Sequence, residues 1–281
     1  MKLNEGGNVF KTEPEKELIA QRIGTPDVDP TIKWLEKVVG FEIDEQDLLG
    51  TTGKRTHPSG KFLKNSSGDL DINTDANKIS QQELIDKLTA WCKSQGIADE
   101  DIMNVGRKKE DGWIHKAGDQ IHFRTPIKGD PNNGFVQTDF MFTMKPDFQR
   151  GAKRGGTDDY GGALRAVLLA SLARGRGYKM SPKFGLVDPN KGDEVVADEW
   201  NKIAEILLGP GATEKDTHTV ESMIAYIRND PNYDELIAPF EAALEREGKT
   251  LPENQEQTLE DKQLGRIKEL SGMLLNSVRM L

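Results

Sequence analysis

The chain has 281 residues, 30% of them charged and 35% hydrophobic, with a formal net charge of −9 at pH 7. That length buries a real core as one large domain or two modest ones. The acidity argues against indiscriminate nucleic-acid binding over the whole surface while leaving room for a local basic groove. Cys92 is the only cysteine, which excludes an internal disulfide and a cysteine-based zinc cluster. No apolar run approaches a membrane span, and the start, "MKLNEGGNVFKTEPEKELIAQ", lacks the hydrophobic core of a signal peptide. The expectation is a protein that stays in the cytoplasm where it is made, with no membrane partner.

Residues 1–12 read as loose chain, after which "EPEKELIAQRI" and "DPTIKWLEKVVG" read as short helices. In the second, Pro30 suits a first turn, Ile32, Leu35, Val38 and Val39 form an apolar stripe, and Gly40 is a stop. A glycine- and serine-rich segment follows, "DLLGTTGKRTHPSGKFLKNSSGDLDINTD". "ISQQELIDKLTAWCKSQG" is a helix with Ser80 as its cap, Glu83 completing a capping box and Gly96 as its stop. The period then changes: "GWIHKAG", "QIHFRTPI" and "GFVQTDFMFTM" are aromatic and β-branched and are separated by turn residues, so they read as strands. Helical spacing returns in "DDYGGALRAVLLASLARGRG". "MSPKFGLVDPNKGDEVVAD" reads as a hairpin or loop with a short strand. "EWNKIAEILLG", "HTVESMIAYIRND", "YDELIAPFEAALEREG" and "TLEDKQLGRIKELSGMLLNSVRML" read as helices, the last with an apolar stripe at Leu264, Ile267, Leu270 and Leu274. The fold class is therefore α/β (α+β): N-terminal helices over 1–41, a mixed core over 42–150 and a mainly helical region over 151–281.

The chemistry concentrates in "NSSGDLDINTDANK". On a strand, Asp69 and Asp71 point to one side while Leu70 and Ile72 point into the core. Two carboxylates so close repel unless a positive charge lies between them, and hard oxygen ligands suit Mg2+ or Mn2+. An ordinary polar turn is the plain alternative. A calcium loop fits worse, because its glycine and glutamate positions hold Thr74 and Ser80. In "GFVQTDFMFTM", Asp139 shares a face with Phe135, Gln137, Met141 and Thr143. An acid embedded in so apolar a strand needs a partner or a metal, or else an edge facing water. If the two strands are neighbours, three carboxylates converge and can hold two divalent ions.

Upstream, "LLGTTGK" places small residues after an apolar approach. Gly50 and Gly53 let backbone N–H groups come close to an anion, Thr51 and Thr52 offer hydroxyls, and Lys54 adds charge. The spacing is not that of a P-loop, since Gly53-Lys54 follows Gly50 too closely and Arg55 stands at the hydroxyl position.

Together "LLGTTGK … SSGDLDIN … VQTDFMF" resembles the nucleotidyltransferase fold of the DNA polymerase β superfamily. Gly50 and Thr51 match its Gly-Ser pair, Asp69 and Asp71 its paired acids, and Asp139 its third acid. The local form, including Ser67 before the paired acids, is similar to nucleotidyltransferase-like proteins of tailed bacteriophages. The "DYGGALRAVLLASLAR" helix resembles a segment that follows the third acid in that group. The stretch from Gly50 to Asp69 is longer than the family's usual spacing, which makes "RTHPSGKFLKN" an insertion.

The resemblance implies a polymerase-β-like core with a small mixed sheet, and metal-dependent transfer of a nucleotidyl group from a nucleoside triphosphate, releasing pyrophosphate. Two ions, Mg2+ or Mn2+, are expected on Asp69, Asp71 and Asp139, with Gly50, Thr51, Thr52, Lys54 and Ser67 around the triphosphate. The acceptor is open: a small molecule, a protein or an RNA end. The alternative is a structural or assembly protein of a phage particle that keeps the fold, which moves the expected location from the host cytoplasm to the virion.

From Lys145 to Lys183 there are nine Lys or Arg against three acids, a local excess suited to a triphosphate or a nucleic-acid end. Arg165 interrupts an apolar helical run and is the expected triphosphate contact, with a snorkelling arginine as the alternative. "RGAKRGG" reads as a mobile loop over the site or a solvated linker. His115 and His122 lie on neighbouring strand segments without the further ligands a zinc site needs. His57 reads as a loop residue and His218 as a first-turn residue of its helix. The four tryptophans, Trp34, Trp91, Trp113 and Trp200, read as core.

Overall fold

In a computed structural model the described residues are 9–10, 20–50, 52–54, 65–103, 112–154, 160–181 and 183–252. The expected C-terminal helix, residues 13–19 of the expected first helix, His57 and Thr51 lie outside them, as do the side chains of Lys54 and Arg154. The described end of that first helix is not helical, since Ala20 bridges Phe135 and Ile23 belongs to a strand.

The chain is a mixed α/β fold with small sheets and a C-terminal helical region. A short strand β1 (Ile23–Gly24) leads into α1 (Thr25–Val39), and β2 (Ser66–Ser67) pairs antiparallel with β1. The central sheet uses β3 (Asp69–Asp75), β4 (Ile114–Ala117), β5 (Gln120–Pro126) and β6 (Phe135–Thr143) in the order β3-β6-β5-β4. β3 runs parallel to β6, and the other two pairings are antiparallel. Two helices, α2 (Gln81–Ser94) and the short α3 (Asp99–Ile102), connect β3 to β4. A crossover through helix is what a parallel neighbour needs, since a tight turn cannot reverse the chain twice.

Alternation sorts the sheet into two faces. Leu70, Ile72, Ile121, Phe123, Val136 and Phe140 are all buried on one of them, and α1 and α2 cover it with Val28, Ile32, Leu35, Val39, Leu84 and Leu88. Each such side chain contributes about 1.5–3 kcal/mol on burial. The opposite face carries Asp69, Asp71 and Asn73 of β3, Gln137 and Asp139 of β6, His122 and Arg124 of β5, and His115 of β4. β6 is buried along its whole length, so Asp139 sits on an interior strand and not at an edge facing water.

Beyond the sheet come α4 (Pro146–Arg154), α5 (Gly162–Gly175), a small antiparallel sheet β7 (Lys179–Ser181), β8 (Gly185–Asp188) and β9 (Glu194–Ala197), then α6 (Trp200–Leu208), α7 (Val220–Ile227) and α8 (Tyr233–Arg246). These elements share a second hydrophobic cluster running from Phe148 to Leu244, separate from the cluster of the central sheet, which runs from Ile23 to Phe142.

Local readings differ from the structure at several points. α1 starts at Thr25 with Pro26 in its first turn, so Pro30 is an interior residue and not the start. Only one proline can occupy the position where a missing N–H costs nothing, and the earlier one takes it. The segment 150–154 of "RGAKRGG" is helical and belongs to α4, because Phe148 anchors it: Phe148 stacks on Trp200 at 5.2 Å, and Trp200 Nε1 donates to the Phe148 carbonyl. The stretch 180–198, expected as a hairpin or loop with a short strand, contributes to a three-stranded sheet. His218 precedes its helix, whose cap is Thr219, and lies 3.6 Å from Glu214. Among the described residues no helix is long and apolar enough to cross a membrane.

Candidate metal centre

The parallel pairing of β3 and β6 puts Asp71 directly beside Asp139 and Asp69 beside Gln137. Since side chains two apart on a strand share a face, all three acids point the same way. One carboxylate oxygen from each of Asp69, Asp71 and Asp139 lies within 4.8 Å of the other two, close enough to hold a metal ion. Asp139 is buried and the other two are half-buried.

The electrostatics carry the mark of this crowding. The Asp71 carboxyl is pushed up from the ordinary 3.8 to about 7, first by burial and then by the charges of Asp69 and Asp139, while the Lys153 ammonium on α4 pulls it the other way. A site that raises the cost of a carboxylate in this manner is one that a cation relieves. The donor set is all oxygen, which fits a hard divalent ion.

The glycine turn sits against the same acids. Leu48 bridges Ile72 and the Leu49 N–H donates to the Asp71 carbonyl at 2.9 Å, so the turn is tied to β3 at the second acid. Gly50 has φ +55°, and a Cβ there would collide with Asp71 Oδ2. The backbone can approach the carboxylate because there is no side chain to hold it off. Thr52 is buried, and its hydroxyl donates to the Asp69 carbonyl at 3.0 Å and lies 3.4 Å from Ser67 Oγ, itself buried. Gly50, Thr52 and Ser67 are thus gathered around the paired acids, with the Thr52 hydroxyl engaged in holding β3.

Arg165 is elsewhere engaged. Its side chain is 1% exposed, Nε donates to the Thr217 carbonyl at 2.6 Å, Nη1 donates to the Ala152 carbonyl at 2.8 Å, and the guanidinium lies 5.4 Å from the Trp200 ring. Burial pushes its pKa down to about 10. These contacts tie α5 to α4 and to the turn before α7, so the guanidinium is engaged within the helical region. The basic excess between 145 and 183 is also dispersed, because Lys145, Arg150, Arg176, Lys179 and Lys183 pair with Asp198, Asp47, Asp230, Asp193 and Asp119.

Three neighbours of the acids were not assigned to their site by sequence reasoning. Lys153 is one, raised toward Asp71 by α4. The others are His122, whose Nδ1 lies 2.7 Å from Asp139 Oδ1, and Gln137, whose Nε2 donates to the same oxygen at 2.8 Å. The signal for Gln137 was in its place two residues before Asp139 on the same strand face. His122 needed the β5–β6 register, which pairs it with Asp139. No family model, curated protein or solved structure matches the chain, so the geometry of this site carries the functional reading alone.

Proposed function

We propose that the chain is a metal-dependent nucleotidyltransferase, moving a nucleotidyl group from a nucleoside triphosphate to an acceptor hydroxyl or phosphate. The observation that carries this reading is the meeting of three carboxylate oxygens within 4.8 Å beside a glycine turn whose backbone abuts one of them. The polymerase-β-like core and the Mg2+ or Mn2+ preference belong to the same proposal.

The residues fit a divalent ion: Asp69, Asp71 and Asp139 are the ligands, and the strained Asp71 carboxyl is the one most relieved by it. When bound, such an ion supplies Lewis-acid polarisation of phosphoryl oxygens and lowers the pKa of an attacking hydroxyl. The chain's own part is positional. The Gly50 turn offers room and backbone donors for an anion next to Asp71. Lys153, already felt by Asp71, replaces Arg165 as the cation proposed for the triphosphate. Asp139, buried and held by two donors, keeps its carboxylate in one orientation as the acceptor oxygen arrives.

The test is direct. The full chain is incubated with Mn2+ or Mg2+, each of the four labelled ribonucleoside triphosphates, and acceptors spanning small hydroxyl compounds, RNA ends and the protein itself. Pyrophosphate release and label transfer are followed beside Asp69→Asn and Asp71→Asn variants. Metal-dependent transfer that both variants abolish supports the proposal. Pyrophosphate release that survives both substitutions places the chemistry elsewhere, and no transfer with any acceptor removes the transferase reading.

A further inference from the structure

The polar face of the central sheet holds one row that crosses all four strands: Asp71 on β3, Asp139 on β6, His122 on β5 and His115 on β4, each directly paired with the next. His122 is 5% exposed. A buried imidazole without a partner would cost stability, so its partners are informative. On one side its Nδ1 meets Asp139 Oδ1 at 2.7 Å, and on the other its ring stacks on His115 with 5.7 Å between centroids and 22° between planes. A carboxylate oxygen accepts, so the hydrogen of this contact sits on Nδ1.

Asp139 Oδ1 receives a second donor, Gln137 Nε2 at 2.8 Å. The amide of Gln137 is itself oriented, because its Oε1 accepts the Val9 N–H at 2.6 Å. Two donors on one carboxylate oxygen fill its two lone-pair directions. They also fix the plane of the carboxylate, whose terminal torsion is otherwise broad. What remains available on Asp139 is Oδ2.

Resting on the nucleotidyltransferase reading of the acids, we propose that His122, with Gln137, is a positioning residue of the metal centre: by holding Asp139 through Oδ1 it presents Oδ2 alone as a one-oxygen ligand to the ion shared with Asp69 and Asp71. His122 touches neither ion nor substrate. Its effect is on the direction of a ligand atom, and outer partners of this kind are worth about 10–100-fold in metal affinity.

The experiment titrates the purified full chain with Mn2+ alone, reading free ion by its EPR signal and the environment of bound ion by the width of its spectrum. His122→Phe keeps a ring and loses the donor; His122→Gln restores an N–H donor. Thr125→Val is the control for stability, since it breaks the 2.6 Å hydroxyl contact with Thr138 on the opposite face of the same sheet. Expected are about a 10–100-fold loss of Mn2+ affinity and a changed bound-ion spectrum in His122→Phe, return toward the wild-type values in His122→Gln, and unchanged affinity in Thr125→Val. Gln137→Met removes the other donor and carries the same expectation as His122→Phe, so a misfolded phenylalanine variant still leaves the matter decided. Wild-type affinity and spectrum in either donor-deleted variant, no recovery in the glutamine variant, or equal loss in the control overturns the proposal. Absence of Mn2+ binding by the wild-type chain is a different failure: it removes the metal reading of the three acids, and this inference with it.

Discussion

At Gly50 the backbone holds φ +55°, and any Cβ would meet Asp71 Oδ2. Gly96, after α2, also has positive φ, +76°, but has nothing within 4 Å of where a Cβ would stand. Both alanine variants bear the left-handed cost of about 1–2 kcal/mol. Only Gly50→Ala must also push Asp71 aside, so it is expected to lose more stability than Gly96→Ala and to weaken Mn2+ binding, while Gly96→Ala binds Mn2+ as the wild type does. Urea unfolding and a Mn2+ titration of the pair check this, and equal behaviour would mean the turn does not shape the acid site. Asp71 itself makes a prediction with a defined sign. Its carboxyl holds a proton more tightly folded, at about 7, than at its ordinary 3.8. The stabilisation this gives is therefore complete below 3.8 and is lost as pH rises through 7. In EDTA, thermal melts between pH 5 and pH 8 should show wild type losing stability relative to Asp71→Asn as pH rises, and saturating Mg2+ should cancel the difference. A pH-independent gap between the two proteins would contradict it. The three acids were legible in the sequence because alternation fixes which side chains share a strand face. That Asp139 lies on the strand next to Asp71 was expected from the resemblance and not from local pattern, since it depends on a crossover through α2, α3, β4 and β5 that no local pattern numbers. His122 was hidden for the same reason: its partner is set by register between strands, not by spacing along one.

Helix α4 shows what an element adds to such a site. The only apolar face in "KPDFQRGAKRGG" is the short one of Phe148, Gly151 and Ala152, and its glycines argue for a loop; the helix is held where Phe148 docks on Trp200 and where its polar side is tied down. Arg150 Nε donates to Asp47 Oδ1 at 2.8 Å, and Asn73 Nδ2 donates to the same oxygen at 2.8 Å and to the Pro146 carbonyl at 3.1 Å. Asp47 thereby joins the turn before Gly50, the strand of the paired acids and the helix that brings Lys153. The hydrogen bond that Arg150 donates to Asp47, more than any other neighbour, raises the Arg150 pKa. Removing this shared acceptor by Asp47→Ala should cost about 1–3 kcal/mol, because Asn73 and Arg150 both lose a partner at a half-buried position. Asp147→Ala, at an exposed carboxylate that also meets Arg150, should cost well under 1 kcal/mol. Denaturant unfolding of the two variants orders them, and an Asp147→Ala loss as large as that of Asp47→Ala would deny Asp47 its linking role. Capping, by contrast, was written plainly: Ser80 accepts from the Glu83 N–H and Glu83 accepts from the Ser80 N–H, as the Ser-x-x-Glu spacing announces. Where an element is stabilised by its own sequence, reading succeeds; where tertiary docking stabilises it against weak propensity, as in α4, reading fails.

Over the whole molecule the buried side chains divide into two clusters, Ile23 to Phe142 around the central sheet and Phe148 to Leu244 among the later helices. All three acids belong to strands of the first, whereas α4 and α5 pack in the second and α4 reaches across by Arg150, Lys153 and the Pro146 carbonyl. These polar links are few beside the apolar packing inside each cluster, so each cluster is expected to unfold as its own cooperative unit. Leu172, fully buried in the second cluster, tests this: Leu172→Ala should cost about 2–5 kcal/mol of that unit alone. A divalent ion acts on the other unit, adding about 2.7 kcal/mol when present at a hundredfold excess over its dissociation constant. Differential scanning calorimetry with and without Mn2+ on both proteins then has a specific expected pattern. One transition moves down with Leu172→Ala and stays put with Mn2+, and another moves up with Mn2+ and ignores Leu172→Ala. A single transition that answers to both would show that the links through α4 are strong enough to make the acid site and the helical cluster one body, and the helical region would then have to be treated as part of the metal centre's support.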